Sequence, residues 1–314
     1  MRVAAAQASP VWLDPAATTA KVIELISEAA GRGVELLAFP EAFLCGYPAW
    51  VCRTDGASFE NPLQKAAYGR YLEAAVTLGG PELRAVADAA SRHGVFTLLG
   101  VSERGDGPAR GTVYCTLAAI DPERGIVGAH RKLVPTHDER LVWGRGDGHG
   151  LRTHRVDGMR VGGLSCWENW MPQARHALYA DGEDVHVGTW PGWSGQVADL
   201  TRMIALEGRV FSVAASGLLS LDDIPDSFPL ADRLRENVEE LPFDGGSGIV
   251  APDGTWLAGP AIGTEGLVVA DIDPAQVAAE RLHLDPTGHY ARPDVFEVRV
   301  DRRRQRASTF DDDA

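Results

Sequence analysis

The segment Gly163-Leu164-Ser165-Cys166-Trp167-Glu168-Asn169 sets a cysteine after an apolar, β-prone run from Met159 to Leu164 and ahead of a helix opened by Pro172. Strand, sharp turn and helix start would hold a thiol at a sheet edge beside free backbone N–H groups, where a thiolate and an oxyanion are both favoured. The chemistry offered is nucleophilic attack on an electrophilic carbon. Taken alone, Cys166 also fits a buried structural cysteine, the commoner fate of a free thiol.

Three more residues have chemical potential. Glu41, in Ala38-Phe39-Pro40-Glu41-Ala42-Phe43, lies just past a strand end in apolar company. Desolvation there raises a carboxyl pKa, which suits a general base or acid near neutral pH; the plain alternative is a surface loop glutamate. Lys132, in His130-Arg131-Lys132-Leu133-Val134-Pro135, ends a hairpin. An ammonium fixed there would steady developing negative charge, although a lysine by itself is usually solvated surface. Glu139, in Thr136-His137-Asp138-Glu139-Arg140-Leu141-Val142-Trp143-Gly144, is close enough in sequence to pair with Lys132.

The elements that must position these residues repeat. The first half reads as a strand over Arg2 to Gln7, a helix over Pro15 to Ala30 and a strand over Val34 to Phe39. A helix over Pro81 to His93 capped by Gly94, a strand over Val95 to Val101, and a hairpin from Val113 to Ile120 and back through Ile126 to Ala129 complete it. The second half repeats the order: strand Arg160 to Ser165, helix Pro172 to Tyr179, strand Val185 to Thr189, helix Val197 to Leu206, strand Val210 to Ala215. Its hairpin runs from Gly248 to Ala251 and back through Trp256 to Ala258. The expected α/β fold is a four-layer α-β-β-α sandwich of two pseudo-symmetric halves, with the bare sheet faces burying each other. One domain spans residues 1–300, followed by a charged, flexible tail at 301–314. Two further segments lack an echo: an aromatic- and Gly-rich insertion from Leu44 to Gly80 and an acidic stretch from Gly217 to Gly245. Both are expected to be lids, interfaces or disordered segments.

A net charge of −14 in 314 residues argues against nucleic acid and anionic membranes as partners. The four cysteines, Cys45, Cys52, Cys115 and Cys166, form no zinc-type spacing, so no metal is expected. With no signal peptide or bilayer-length apolar run, they are read as thiols of a cytoplasmic protein.

Phe39-Pro40-Glu41, His130-Arg131-Lys132-Leu133 and Ser165-Cys166-Trp167-Glu168-Asn169 together resemble, in order and spacing, the Glu, Lys and Cys signatures of the nitrilase or carbon–nitrogen hydrolase superfamily. The likeness runs from Val3 to about Val298. Cys166-Trp167-Glu168 followed by Asn169 is similar to the true nitrilase branch, as are the segment from Lys132 to Gly144, Gly146-Asp147-Gly148, Gly288-His289-Tyr290 and Arg292-Pro293-Asp294. The resemblance implies the αββα fold and hydrolysis of an organic nitrile to a carboxylic acid and ammonia through a covalent cysteine thioimidate and thioester, some amide being possible as product. It makes Cys166 the nucleophile, Glu41 the base, Lys132 a stabiliser of charge together with the backbone N–H of Trp167, and Glu139 the residue that positions Lys132 and water. Glu168 is expected to be a structural hydrogen-bonding carboxylate, and His137, His289 and Tyr290 structural or interface residues. No cofactor is required. Trp167, Tyr47, Trp190 and Trp193, with Pro48 and Trp50, suggest an apolar pocket for an aliphatic or aryl-substituted nitrile. The rival readings are a cyanide-degrading enzyme, an amidase or carbamoylase of the same superfamily, or a catalytically silent binding member. A homodimer or limited homo-oligomer is expected.

Overall fold

Thr18, Val22, Ile26 and Ala29 recur at helical spacing and are buried along one face of the first helix, which Asp14 caps by accepting the N–H of Ala17. The computed structural model describes residues 1–236 and 243–308. The first half comprises β1 (Arg2–Gln7), α1 (Pro15–Gly31), β2 (Leu36–Ala38), α2 (Trp50–Arg53), α3 (Pro62–Ala74), α4 (Pro81–His93), β3 (Phe96–Arg104), β4 (Val113–Asp121) and β5 (Gly125–Arg131). The second comprises β6 (His154–Val156), β7 (Met159–Ser165), α5 (Pro172–Ala180), β8 (Val185–Trp190), α6 (Ser194–Gly208), β9 (Phe211–Ser216), α7 (Ala231–Glu236), β10 (Gly245–Val250) and β11 (Trp256–Ile262). β12 (Gly266–Asp271) and α8 (Pro274–Glu280) follow.

The repeat is real. β1, β2 and β3 are parallel and β4 and β5 antiparallel; β7, β8 and β9 are parallel and β10 and β11 antiparallel. β12 adds to β1 and β6 to β7, so each half makes a six-stranded sheet. Alternation along β1 sends Val3 and Ala5 between the sheets, against Val161, Val187, Phe211 and Val213, and Ala4 and Ala6 outward against α1 and α4. Leu164 packs on Ala177 and Leu178 of α5, and Ala214 on Val197, Leu200 and Ile204 of α6. The layers are α-β-β-α.

Some boundaries differ from expectation. α6 starts at Ser194 because the Asp244 carboxylate, distant in sequence, accepts from the Ser194 N–H at 3.0 Å and from its hydroxyl at 2.7 Å. The two segments expected as lids, interfaces or disordered stretches share a core: Trp50 lies 5.1 Å from Tyr71 and 5.5 Å from Phe228, ring centre to ring centre. Residues 237–242 of the acidic segment lie outside the described residues, as do 309–314 of the tail. Within 301–308, Arg302 donates to Asp181 at 3.0 Å, and Arg304 donates to Asp147 and to the Ala129 carbonyl at 3.1 Å. Among the described residues no helix is long and apolar enough to cross a membrane.

Candidate active site

Strand ends from both sheets converge at one place. Glu41 follows β2, and its N–H reaches the carbonyl of Trp190, the last residue of β8, at 3.3 Å. Gly100 of β3 permits this path: a Cβ there would lie 2.0 Å from the Pro40 carbonyl oxygen and 2.8 Å from the Glu41 Cα. Lys132 immediately follows β5, and its N–H donates to the Cys115 carbonyl at 2.8 Å. Glu139 lies in a 3₁₀ turn, His137–Leu141, where it completes a capping box with Thr136.

Lys132 Nζ donates to Glu41 Oε1 and to Glu139 Oε2, both at 2.7 Å. Cys166 Sγ and one oxygen of each carboxylate lie within 4.8 Å of one another. Tyr47 donates its hydroxyl to Glu139 Oε1 at 3.0 Å, and the Trp143 ring centre stands 5.4 Å from Nζ. Two carboxylates and a thiol form a donor set that a cation would suit, but the ammonium is already hydrogen-bonded between the carboxylates.

Burial dominates the electrostatics. It lifts Glu41 to about 7, with Lys132 opposing the rise and Glu139 adding to it. Burial works to lower Lys132, yet Glu41 and Glu139 more than compensate and hold it well above its usual value. Burial and then Glu41 push the Cys166 thiol well above the ordinary cysteine range, opposed by Lys132 and by the N–H of Trp167. The expected thiolate-favouring, exposed position is therefore corrected: Cys166 is 5% exposed and rests as a thiol.

The turn around Cys166 is clamped. Its φ is +50°, the left-handed region that non-glycine residues rarely occupy. Asn169 Nδ2 donates to the carbonyls of Cys166 at 2.9 Å and Leu164 at 3.2 Å. Its Oδ1 therefore faces a donor, His186 Nε2, at 2.8 Å, and His186 Nδ1 faces both oxygens of Glu183 at 3.1 Å. Gly162 leaves room for this chain, since a Cβ there would meet Glu183 Oε1 at 2.2 Å. Glu168 accepts from the N–H groups of Leu133 and Ser165 and from His130 Nε2. Burial raises its pKa, but His130 and the two N–H groups hold it below the usual carboxylate value.

Glu41, Lys132, Glu139 and Cys166 thus meet as anticipated. Of the aromatics expected to wall a pocket, Tyr47 is joined to the charged cluster directly, and Trp190 is buried with its carbonyl against Glu41. Trp167 and Trp193 are 45% and 51% exposed. Trp50 belongs to the core beneath the insertion, a correction to its reading as pocket wall. Sequence reasoning missed Cys115, Trp143, Glu183 and His186. Trp143 stood inside the quoted lysine segment, which was a usable signal; the others had none.

Residues 2–281 match the sequence profile described as carbon-nitrogen hydrolase. The chain is similar to an aliphatic nitrilase of Sinorhizobium fredii, 39% identical over 96% of this chain and 95% of the relative. An aliphatic nitrilase of Rhodococcus rhodochrous is 38% identical, over 96% and 83% of the two chains. Nitrilase 2 of Arabidopsis thaliana is 36% identical, over 99% and 91%. Among solved structures, a carbon-nitrogen hydrolase of Helicobacter pylori superposes with a TM-score of 0.71 at 17% identity, covering 94% of this chain and 96% of the other. An amidase from a Nesterenkonia species gives 0.63 at 20% identity, covering 91% and 95%. At those identities the structures share the fold alone.

Proposed function

The chain belongs to the carbon–nitrogen hydrolase family, and from that premise we propose that it is a nitrilase, converting an organic nitrile and two waters to a carboxylic acid and ammonia. The observation that carries the assignment of roles is the buried Glu41–Lys132–Glu139 array, whose carboxylates lie within 4.8 Å of the Cys166 sulfur.

Because Cys166 rests as a thiol, attack begins with transfer of its proton to Glu41. Sulfur adds to the nitrile carbon, and the nitrogen takes up that proton, giving a thioimidate. Glu41 next accepts a proton from water, whose oxygen adds to the same carbon. Lys132 and the Trp167 N–H stabilise the charge on the tetrahedral species. Return of that proton makes the nitrogen an NH2 group; Glu41 then carries the hydroxyl proton to it, so that ammonia leaves as the C=O bond forms and a thioester remains. A second water, activated in the same way, releases the acid and restores the thiol. Expulsion of sulfur instead of ammonia would give the amide.

The test is a panel of aliphatic, aryl and arylaliphatic nitriles, with cyanide and the matching amides, scored for ammonia and product. Acid and ammonia from a nitrile, abolished in Cys166→Ala, is the expected result. Release from amides or cyanide alone would move the chain to another branch of the family. Failure on every compound by folded protein would favour a silent binding protein.

Four unpaired cysteines support a cytoplasmic setting, and the family match to residue 281 supports one catalytic domain over 1–300. A homodimer or limited oligomer is supported by exposed Phe296 and Val298 and by an apolar cavity of about 310 Å³ between α5 and the C-terminal segment, lined by Pro172, His176 and Val298. Light scattering showing a strict monomer at micromolar concentration would defeat that part.

A further inference from the structure

Of the four carboxylate oxygens around Lys132, three accept hydrogen bonds. Glu139 Oε1 accepts from Tyr47, and Glu139 Oε2 accepts from Lys132 and from the Thr136 N–H. Glu41 Oε1 accepts from Lys132 at 2.7 Å and from the thiol of Cys115 at 3.2 Å. Glu41 Oε2 is buried and has no partner among the described residues. Buried acceptors are nearly always satisfied, so an orphan on the proposed base is a feature to explain.

Resting on the nitrilase reading, we propose that Cys115 is a positioning residue: its S–H locks the Glu41 carboxylate so that Oε2 faces the reaction as the atom that takes protons. The terminal torsion of a glutamate is soft and two-fold, so one donor pins a carboxylate at a point about which it can turn. A second donor on the same oxygen, from a different direction, fixes the plane. Cys115 is built to supply it. It lies on β4 across from Lys132, as the 2.8 Å bond from the Lys132 N–H to its carbonyl shows, and antiparallel partners project their side chains from the same face. It is 1% exposed, and burial first, then Glu41, keeps it a thiol, hence a donor. The groups facing Glu41 are Lys132, Glu139, Cys166, Tyr47 and Cys115. Cys115 is the neutral donor that touches Glu41 directly.

If Cys115 merely fills space, Cys115→Ala should alter stability alone and Cys115→Ser should gain nothing from its hydroxyl. As a positioning residue, Cys115→Ala should lower kcat by about tenfold to a hundredfold with KM nearly unchanged. It should also move the acid limb of the kcat/KM profile to higher pH, because a donor to the ionised carboxylate is gone. Cys115→Ser should restore both, and Cys115→Val replaces the alanine variant if that one does not fold. Wild-type kinetics in Cys115→Ala or Cys115→Val, or a serine variant as impaired as they are, overturns the proposal. The pH dependence of Cys166 alkylation by iodoacetamide, followed by mass spectrometry in the same variants, tests the proton transfer without any substrate. Should wild-type protein hydrolyse no nitrile, the nitrilase reading fails. The alkylation profiles then decide Cys115: displacement in Ala or Val with recovery in Ser upholds the role, and superimposable profiles refute it.

Discussion

The Glu168 carboxylate accepts the backbone N–H of Leu133 at 2.8 Å and thereby ties the residue after Lys132 to the turn that carries Cys166. Leu133 follows the last strand of one sheet, and Ser165, whose N–H reaches the same carboxylate at 3.1 Å, ends a strand of the other. One buried side chain thus sets the separation of ammonium and sulfur across two halves of the chain.

Glu168→Gln should disturb that tie. An amide offers one acceptor oxygen and turns an NH₂ toward N–H donors, so a buried charge-assisted set is lost. The expected cost is about 2–4 kcal/mol of stability and at least about tenfold in kcat/KM. Chemical denaturation and steady-state kinetics check both; unchanged kinetics would show that the tie does not govern the site.

Asn169→Ala leaves the carbonyls of Cys166 and Leu164 and the Nε2–H of His186 without their partner. Stability should fall by about 1–3 kcal/mol. The left-handed backbone at Cys166 should relax, misplacing sulfur and the Trp167 N–H together. Slower iodoacetamide alkylation of Cys166 in folded protein would reveal this; an unaltered rate would mean that the turn holds itself.

Lys132→Met removes the charge between two buried carboxylates. Breaking such a cluster on one side costs about 3–5 kcal/mol, so the variant should be much less stable and its activity undetectable. Glu41 should then titrate still higher, because the ammonium that lowers its pKa is gone. Thermal unfolding and ammonia release are the measurements, and substantial turnover would remove Lys132 from the mechanism.

Glu41 titrates at about 7 and must be ionised to act as base, so kcat/KM should fall with unit slope as pH drops through about 7. Stability follows the opposite direction. The folded chain retains this proton where the unfolded chain, titrating near about 4, has released it. The stabilising contribution is full below the unfolded value and is lost as pH rises through about 7. Wild type should therefore lose ground in Tm to Glu41→Gln between about pH 4 and pH 8. A pH-independent difference would contradict the raised pKa.

Residue type and local period determined much of this protein. Alternating apolar runs, Pro-opened and Gly-capped helices and a repeated element order made the two halves legible. Glu41 and Cys166 were each legible as lying just past a strand end, and the resemblance to the nitrilase superfamily implied that they share a site. Lys132 and Glu139 could be paired because only seven positions separate them. Tertiary structure alone decided the rest. Cys115 reads as one more apolar position of a hairpin; only the β4–β5 register sets it across from Lys132 and against Glu41. The left-handed turn at Cys166 is held by Asn169, His186 and Glu183, and no local pattern joins a loop glutamate and a strand histidine to a cysteine 17 to 20 residues upstream. Whether Cys166 rests as a thiol or a thiolate also belonged to the fold. Burial and two carboxylates outweigh one ammonium and one N–H, a balance that exists only when both sheets close over the site.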